Sequence, residues 1–495
     1  MTTLCVDAGT TVIKAVLMGE DGRELLVARR PTAVLSPRPG WSEQDMSAVL
    51  QAVTECVTEA AQGSAQPVSR LAVTAQGDGA WLVDADGRPV RNAVLWNDAR
   101  AADVVDAWTR EGLLDEAFRR NGSVGNRGLP HAIMRWLEDH EPAALDQARH
   151  VVTCGSWLFG ALTGVWGLHP SEASAPWVDL TTGVVSDELI ELYGLSAWRR
   201  LVPPMLTGAE LTQPALPAVA QSLGLAPGVP VTLAPYDVVA TGAGGGAVRI
   251  GDAFGILGTT LCTGALVDRP DLTGLPSGLT LLSGDGPIVR AFPTLAGTGV
   301  VEWMRGLLGL PGAAEFTALA AKSTPGAGGV RVWPYFSPAG ERAPFLDGSA
   351  RGVIAGLSFA TTPADLARAT VEGLALVLRD CLDAGGPMPT VLTLSGGGSA
   401  SDVWCQCIAD VTGVPTVRVE GSEIGARGAM LHAAVAAGIV DSLPAAADAY
   451  VTRAATFDPE PATRGLFDDR YADFRTTRAA LAERWSGWAQ DDPRS

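Results

Sequence analysis

Twice in this chain an apolar strand runs into a glycine–threonine–threonine turn and comes straight back. Residues 4–6 enter the turn Asp7-Ala8-Gly9-Thr10-Thr11 and return through Val12–Met18; residues 254–257 enter Gly258-Thr259-Thr260 and return through Leu261–Val267. Apolar runs bounded by such turn residues are the mark of β-hairpins. Two hairpins of one design, half a chain apart, predict two α/β domains of related construction, although a repeat this short also arises by chance. The length of 495 residues agrees, being too great for one ordinary compact core.

Around the hairpins, strands alternate with helices. Strands are predicted at 24–27, 71–74, 80–83, 229–233, 391–394 and 416–419, and helices at 47–61, 129–138, 156–162, from 363 onward, 402–410 and 425–438. The run Gly242-Ala243-Gly244-Gly245-Gly246 offers almost no side chains to a core. It reads either as an interdomain hinge or as a tight crossing of elements, and the main boundary is placed near residue 247.

Charge narrows the partners. A net charge of −18 argues against nucleic acid and anionic membranes. A small phosphorylated ligand is not excluded, because a bound cation and backbone donors override the global field locally. The seven cysteines are odd in number and scattered, so zinc and a disulfide framework are poor readings and free thiols in a reducing cytoplasm the better one. The N-terminus has an acid at Asp7 and no basic segment, unlike a signal peptide. Residues 151–168 are uncharged and nearly long enough to span a bilayer, but four of them are glycine, and a buried soluble helix is expected.

Several segments carry chemistry. A glycine after a strand lets successive N–H groups converge on an anion, threonine hydroxyls add donors, and an Asp at the strand end can hold Mg²⁺. Asp7, Gly9, Thr10 and Thr11 fit that pattern, as do Gly258, Thr259 and Thr260; Lys14, on the outgoing strand, could approach a phosphate. An ordinary hairpin uses the same residues. No G-x-x-x-x-G-K-[ST] occurs, which removes a P-loop enzyme. Gly396-Gly397-Gly398, between a strand and a helix, allows close approach of a ligand to the backbone, with Ser401 placed to meet an adenine edge; a tight turn explains it equally. Asp237, alone in the apolar stretch 234–241, is either a helix cap or the carboxylate that phosphoryl transfer needs to take a hydroxyl proton. Gln76-Gly77-Asp78-Gly79 and Trp96 combine amide, carboxylate and indole groups, which suit a polyhydroxylated ligand, though most of the fourteen Trp are expected in the core.

Together, residues 6–14 resemble the first phosphate motif of the FGGY carbohydrate kinases. Trp41-Ser42-Glu43-Gln44-Asp45, residues 93–100, Tyr236-Asp237, Leu257–Thr260, the stretch from Pro334 through Pro344, and 395–401 resemble later landmarks of that family in the same order, over residues 3 to 440. The resemblance implies an α/β fold of two actin-like (ribonuclease-H-like) ATPase domains flanking a deep cleft. It implies a domain over 1–247 with the acceptor and first phosphate motif, a second over 248–440 with the other phosphate and adenosine motifs, and a helical extension over 441–495 packed on the second. It further implies ATP and Mg²⁺ as cofactors, with Asp7 serving the metal. Gly9, Thr10, Thr11, Lys14, Gly258, Thr259 and Thr260 would meet phosphates, with the Gly297-Thr298 turn nearby. Gly397, Gly398 and Ser401 would cradle adenosine, Gln76, Gly77, Asp78 and Trp96 would face the acceptor, and Asp237 would be the general base.

The departures bear on the acceptor. Xylulokinases typically carry Gln-Met-His-Gly where this chain has Gln76-Gly77-Asp78-Gly79, and Gly-Asp-Asn where it has Tyr236-Asp237-Val238. The pattern is more similar to erythritol kinases and L-xylulose kinases. The expected reaction is therefore phosphorylation of a small neutral sugar or polyol: erythritol or another tetritol, L-xylulose or a related ketose, with D-xylulose as the alternative. An actin-fold ATP-binding switch without sugar transfer is the alternative from another class. The expected partner is the small molecule alone, without nucleic acid or membrane, and a homodimer stays open.

Overall fold

The computed structural model describes residues 2–284 and 286–490, which divide into two compact units. The first comprises residues 1–248, 271–289 and 421–451; the second comprises 249–270, 290–420 and 452–495.

The first unit is built on a sheet of β1 (Thr2–Ala8), β2 (Val12–Met18), β3 (Glu24–Pro31), β4 (Val68–Ala75), β5 (Thr212–Pro214) and β6 (Pro230–Leu233), in the order β5-β6-β4-β1-β2-β3. The hairpin β1/β2 is antiparallel and sets Asp7 opposite Lys14, while β4 runs parallel to β1 and β6 parallel to β4. Strands β1, β2 and β4 are buried over most of their length, as a sheet covered on both faces requires. One cover is the helix Met46–Gln62. Asp45 caps it by accepting from Ser47 N–H (2.8 Å) and Ala48 N–H (3.2 Å), and Met46, Val49, Val53, Cys56, Val57 and Ala60 form its buried stripe at helical spacing. The other cover includes the helices Asp237–Gly244 and Ile424–Ala436.

These two helices cross almost backbone to backbone. A Cβ on Gly244 would lie 1.9 Å from the carbonyl oxygen of Ile424, and one on Gly428 would lie 1.8 Å from that of Ala240. The glycine run at 242–246 is thus a crossing inside one unit. The uncharged stretch at 151–168 holds the helix Cys154–Thr163, buried all round. Among the described residues no helix is long and apolar enough to cross a membrane.

The second unit repeats the strand plan with β7 (Asp252–Leu257), β8 (Leu261–Val267), β9 (Ile288–Pro293), β10 (Val391–Ser395), β11 (Thr416–Val419) and β12 (Arg453–Phe457), neighbours in the order β9-β8-β7-β10-β11-β12. Again a hairpin, β7/β8, is followed by parallel strands β10 and β11 and an antiparallel edge, β12. The helix Pro363–Gly385 runs through the middle of this unit, started by a reciprocal cap in which Thr362 and Asp365 bond each other's backbone N–H groups. The long helix Arg464–Gln490 adds Phe467, Tyr471, Phe474 and Trp485 to the same core.

Candidate active site

The candidate residues fall into two groups, one in each unit. In the first unit, the turn after β1 is fixed from below. Thr32 N–H donates to the Thr11 carbonyl (2.9 Å), and the Thr32 hydroxyl donates to the Thr10 carbonyl (2.9 Å). A ring of polar groups then closes around Thr10. Its hydroxyl donates to Gln76 Oε1 (2.8 Å) and accepts from the Trp96 indole N–H (3.0 Å). Gln76 Nε2 donates to Gln44 Oε1 (2.8 Å), and Gln44 Nε2 donates back to the Thr10 carbonyl (2.6 Å). Gln76 and Gln44 are buried, so both amides are spent on holding the turn.

Gln44 owes its place to the surrounding tryptophan–acid segment. Arg100 lies over the Trp41 ring at 4.0 Å and pairs with Glu43 (2.7 Å) and Asp98 (2.9 Å), all of them largely buried. Asp98 also accepts from Ser42 N–H (2.6 Å). A paired and hydrogen-bonded ion cluster of this kind fixes geometry, and removing one member would strand the others.

Lys14 reaches across the hairpin toward two acids: its ammonium is 2.7 Å from Glu423 Oε2 and 3.8 Å from Asp7 Oδ2. Glu423 also pairs with Arg29 and sits just before the helix Ile424–Ala436. Its backbone N–H donates to Glu24 (2.8 Å). Burial raises the Asp7 carboxyl, an effect that Lys14 opposes and Glu423 reinforces.

Asp237 opens its helix at the end of β6, and its carboxylate accepts from the N–H of Val238 (2.7 Å). Burial is the main cause that pushes its carboxyl up to about 7, with the negative charges of Asp7 and Asp78 adding to it. The preceding Tyr236 is pinned by its backbone: its N–H donates to the Ser171 hydroxyl (3.2 Å), which is held by His169 Nδ1 (2.9 Å). Asp78 adopts a left-handed conformation (φ 55°), unusual for a residue with a side chain.

In the second unit, the turn Gly258-Thr259-Thr260 is locked to the start of the helix Thr298–Leu307. Thr298 N–H donates to the Gly258 carbonyl (2.8 Å) and Gly299 N–H to that of Thr259 (3.1 Å). Gly297 is needed there, because a Cβ would lie 2.5 Å from the Thr259 oxygen. Glu341 supports the turn from behind. Its Oε1 accepts from Leu295 N–H (2.7 Å) and Arg342 N–H (2.8 Å), and burial pushes its carboxyl up to about 7. A cavity of about 750 Å³ opens beside the turn, with Thr259, Thr260, Trp303, Phe336 and Arg351 in its lining.

Gly396, at φ 82°, lets the loop after β10 fold close over Leu257, and a Cβ on Gly398 would strike the Trp404 ring at 2.5 Å. Gly397 is exposed. Ser401 caps the helix Asp402–Thr412 by accepting from Trp404 N–H (3.2 Å), and accepts from the Thr317 hydroxyl (3.3 Å). Glu423, Ser171 and His169 were not among the sequence candidates, and Gln44 and Glu341 were noticed only within their motifs.

Comparison with known proteins gives this geometry a context. Residues 2–244 match the model of the N-terminal domain of the FGGY family of carbohydrate kinases, and residues 253–437 match that of its C-terminal domain. An erythritol kinase of Brucella abortus is 31% identical, covering 97% of this chain and 96% of its own length. A xylulose kinase of Escherichia coli is also 31% identical, over 88% of this chain and 90% of its own. A solved xylulose kinase from Lactobacillus acidophilus superposes with a TM-score of 0.92 at 21% identity, covering 98% of this chain and 99% of its own; at that identity it bears on the fold alone.

Proposed function

The chain belongs to the FGGY family of carbohydrate kinases, ATP-dependent enzymes that phosphorylate a hydroxyl of a sugar or polyol, and from that premise we propose that its acceptor is erythritol or another tetritol, or L-xylulose or a related ketose. The observation that carries this reading is the loop Gln76–Gly79. Gly77 contributes no side chain, Asp78 contributes a carboxylate that accepts from hydroxyls, and Gln76 faces inward onto Thr10. A loop of this make-up suits a short, neutral, hydroxyl-rich molecule. D-xylulose is the second reading, favoured by the match to the E. coli xylulose kinase.

In this reading Asp237 is the general base. Phosphoryl transfer asks little covalent chemistry of the protein beyond positioning, charge stabilisation and one group to take the acceptor proton. A carboxyl raised to about 7 has a proton affinity near the working pH, where such a base is most effective. Asp7 would serve Mg²⁺. The carboxylates of Asp7 and Asp78, whose charges both act on that of Asp237, leave a local excess of negative charge that suits a hydrated divalent cation. Among the described residues no cluster of three or more His, Cys, Asp or Glu forms a metal cage, and a largely hydrated ion shared with phosphates requires none. When bound, the ion neutralises charge on the transferring phosphate.

The turns Gly9-Thr10-Thr11 and Gly258-Thr259-Thr260 would contact phosphates. Lys14 would supply a cation to the same end. Gly397, Gly398 and Ser401 would receive adenosine, and Gly77, Asp78 and Trp96 the acceptor, with Gln76 acting through Thr10. Seven free, buried cysteines are compatible with a reducing cytoplasm as the working compartment. The test is nucleotide-coupled ADP release over erythritol, L-erythrulose, D- and L-xylulose, ribulose and glycerol. Highest kcat/KM on a tetritol or L-ketose supports the reading, and highest on D-xylulose or glycerol overturns it.

A further inference from the structure

A Cβ placed on Gly77 would lie 2.4, 2.6 and 2.8 Å from three carbons of the Tyr236 ring. No relaxed side chain tolerates such contacts, so the ring already fills the volume into which a side chain at residue 77 would project. Nor can it readily withdraw. Tyr236 is 4% exposed, and its backbone is bonded to Ser171 on one side. On the other, its carbonyl accepts the first helical N–H groups, from Val239 (3.0 Å) and Ala240 (3.1 Å). Pushing the ring therefore pushes the first turn of the helix that begins at Asp237.

We infer that Gly77 and Tyr236 form one specificity element: a single volume beside Asp78 and Asp237, filled from position 236, whose filling sets both the wall of the acceptor pocket and the placement of the base. The inference deepens the proposed acceptor site and rests on Asp237 being the base. Gly77 adjoins Asp78, whose charge acts on Asp237, so the shared volume lies where the acceptor hydroxyls must be sorted. A ring there gives a rigid apolar face against C–H groups, while the neighbouring carboxylates accept from hydroxyls. Moving the bulk from 236 to 77 would present a side chain from the opposite side of the same space, and would change which carbon skeletons fit.

The experiment uses the full-length enzyme and four variants: Gly77→Ala, Tyr236→Ala, the double variant carrying both, and Asp237→Asn. Each is measured for kcat and KM over the acceptor panel, with melting temperature and ADP binding as controls for folding. Gly77→Ala should lower kcat/KM on the preferred acceptor by about 100-fold, as expected for a misplaced base, with ADP binding retained. Tyr236→Ala should reorder the acceptors, admitting larger ones. The double variant should recover at least about tenfold over Gly77→Ala, a non-additivity expected only of residues sharing space. Wild-type kinetics in Gly77→Ala, or an unchanged acceptor order in Tyr236→Ala, would overturn the inference. If Gly77→Ala does not fold, the acceptor order of Tyr236→Ala decides alone. Turnover retained by Asp237→Asn would remove the base assignment, yet leave the acceptor reordering to be judged on its own.

Discussion

The ammonium of Lys14 lies 2.7 Å from the carboxylate of Glu423, and Glu423 is 4% exposed. The lysine expected to meet a phosphate thus has a standing partner, delivered by the segment that enters the helix Ile424–Ala436. Lys14→Met should leave Glu423 with Arg29 as its remaining cation and destabilise the protein by about 1–3 kcal/mol. It should also raise the KM for ATP more than that for the acceptor. Steady-state kinetics with each substrate varied in turn, beside a melting curve, checks both.

Burial pushes the Asp237 carboxyl up to about 7 in the folded protein, against an ordinary 3.8. Between those values the folded state holds more protons than the unfolded one, so this carboxyl makes stability fall as pH rises through the window, and the loss persists above it. Asp237→Asn removes the effect. Without nucleotide or divalent cation, its melting temperature should exceed the wild type's by a margin that grows from pH 4 to 7 and then levels off. A margin that shrinks with pH would contradict the shift, and turnover should be abolished throughout.

Gln44→Leu breaks the amide ring around Thr10 and leaves Gln76 Nε2 buried without its acceptor. An unsatisfied buried donor costs about 1–3 kcal/mol. The variant should lose that stability in urea unfolding, and its kcat should fall although Gln44 contacts no substrate in the proposed mechanism.

Glu341→Ala deprives Leu295 and Arg342 of their shared acceptor behind the second Gly-Thr-Thr turn. The KM for ATP should rise about tenfold or more, corresponding to 1.4 kcal/mol or more of lost support. Glu341→Gln keeps an acceptor oxygen and resembles the protonated acid that burial favours, so it should stay within a few-fold of wild type. Equal loss in both variants would show that the charge matters and not the hydrogen bond.

Gly428→Ala puts a methyl group where the Ala240 carbonyl already stands, and forced overpacking costs about 1–3 kcal/mol or more. Gly306, inside the helix Thr298–Leu307, meets nothing within 4 Å of an added Cβ. Gly306→Ala should therefore be neutral or stabilising by up to about 1 kcal/mol. Thermal melts of the two variants side by side give the comparison.

Local patterns were readable where the cause is local. The hairpins at Asp7 and Gly258 and the helices near 47–61 and from Pro363 follow from turn chemistry and apolar spacing over a few residues. The two-domain family assignment came from the order of such pieces. What stayed hidden were partners that only the fold brings together. Arg29 and Glu423 are 394 positions apart, and Ser171 reaches Tyr236 across 65. Gly77 suggested only a small residue near a ligand; that its emptiness is filled by a tyrosine ring depends on tertiary packing. The glycine run at 242–246 had two readings, and the carbonyls of Ile424 and Ala240 decided between them.

The helix Ile424–Ala436 also sets a timetable. Its Ala426, Ala429, Met430 and Ala433 pack with Cys5, Val16, Met18 and Ala72, residues from the beginning of the chain. While the ribosome makes the intervening segment, at about 5–20 residues per second, that apolar sheet face waits uncovered for roughly 20–70 seconds. The unit that holds Asp237 is begun first and completed almost last, so a nascent chain stalled before residue 424 should be a client for chaperones and an inactive fragment, however well its own strands have paired.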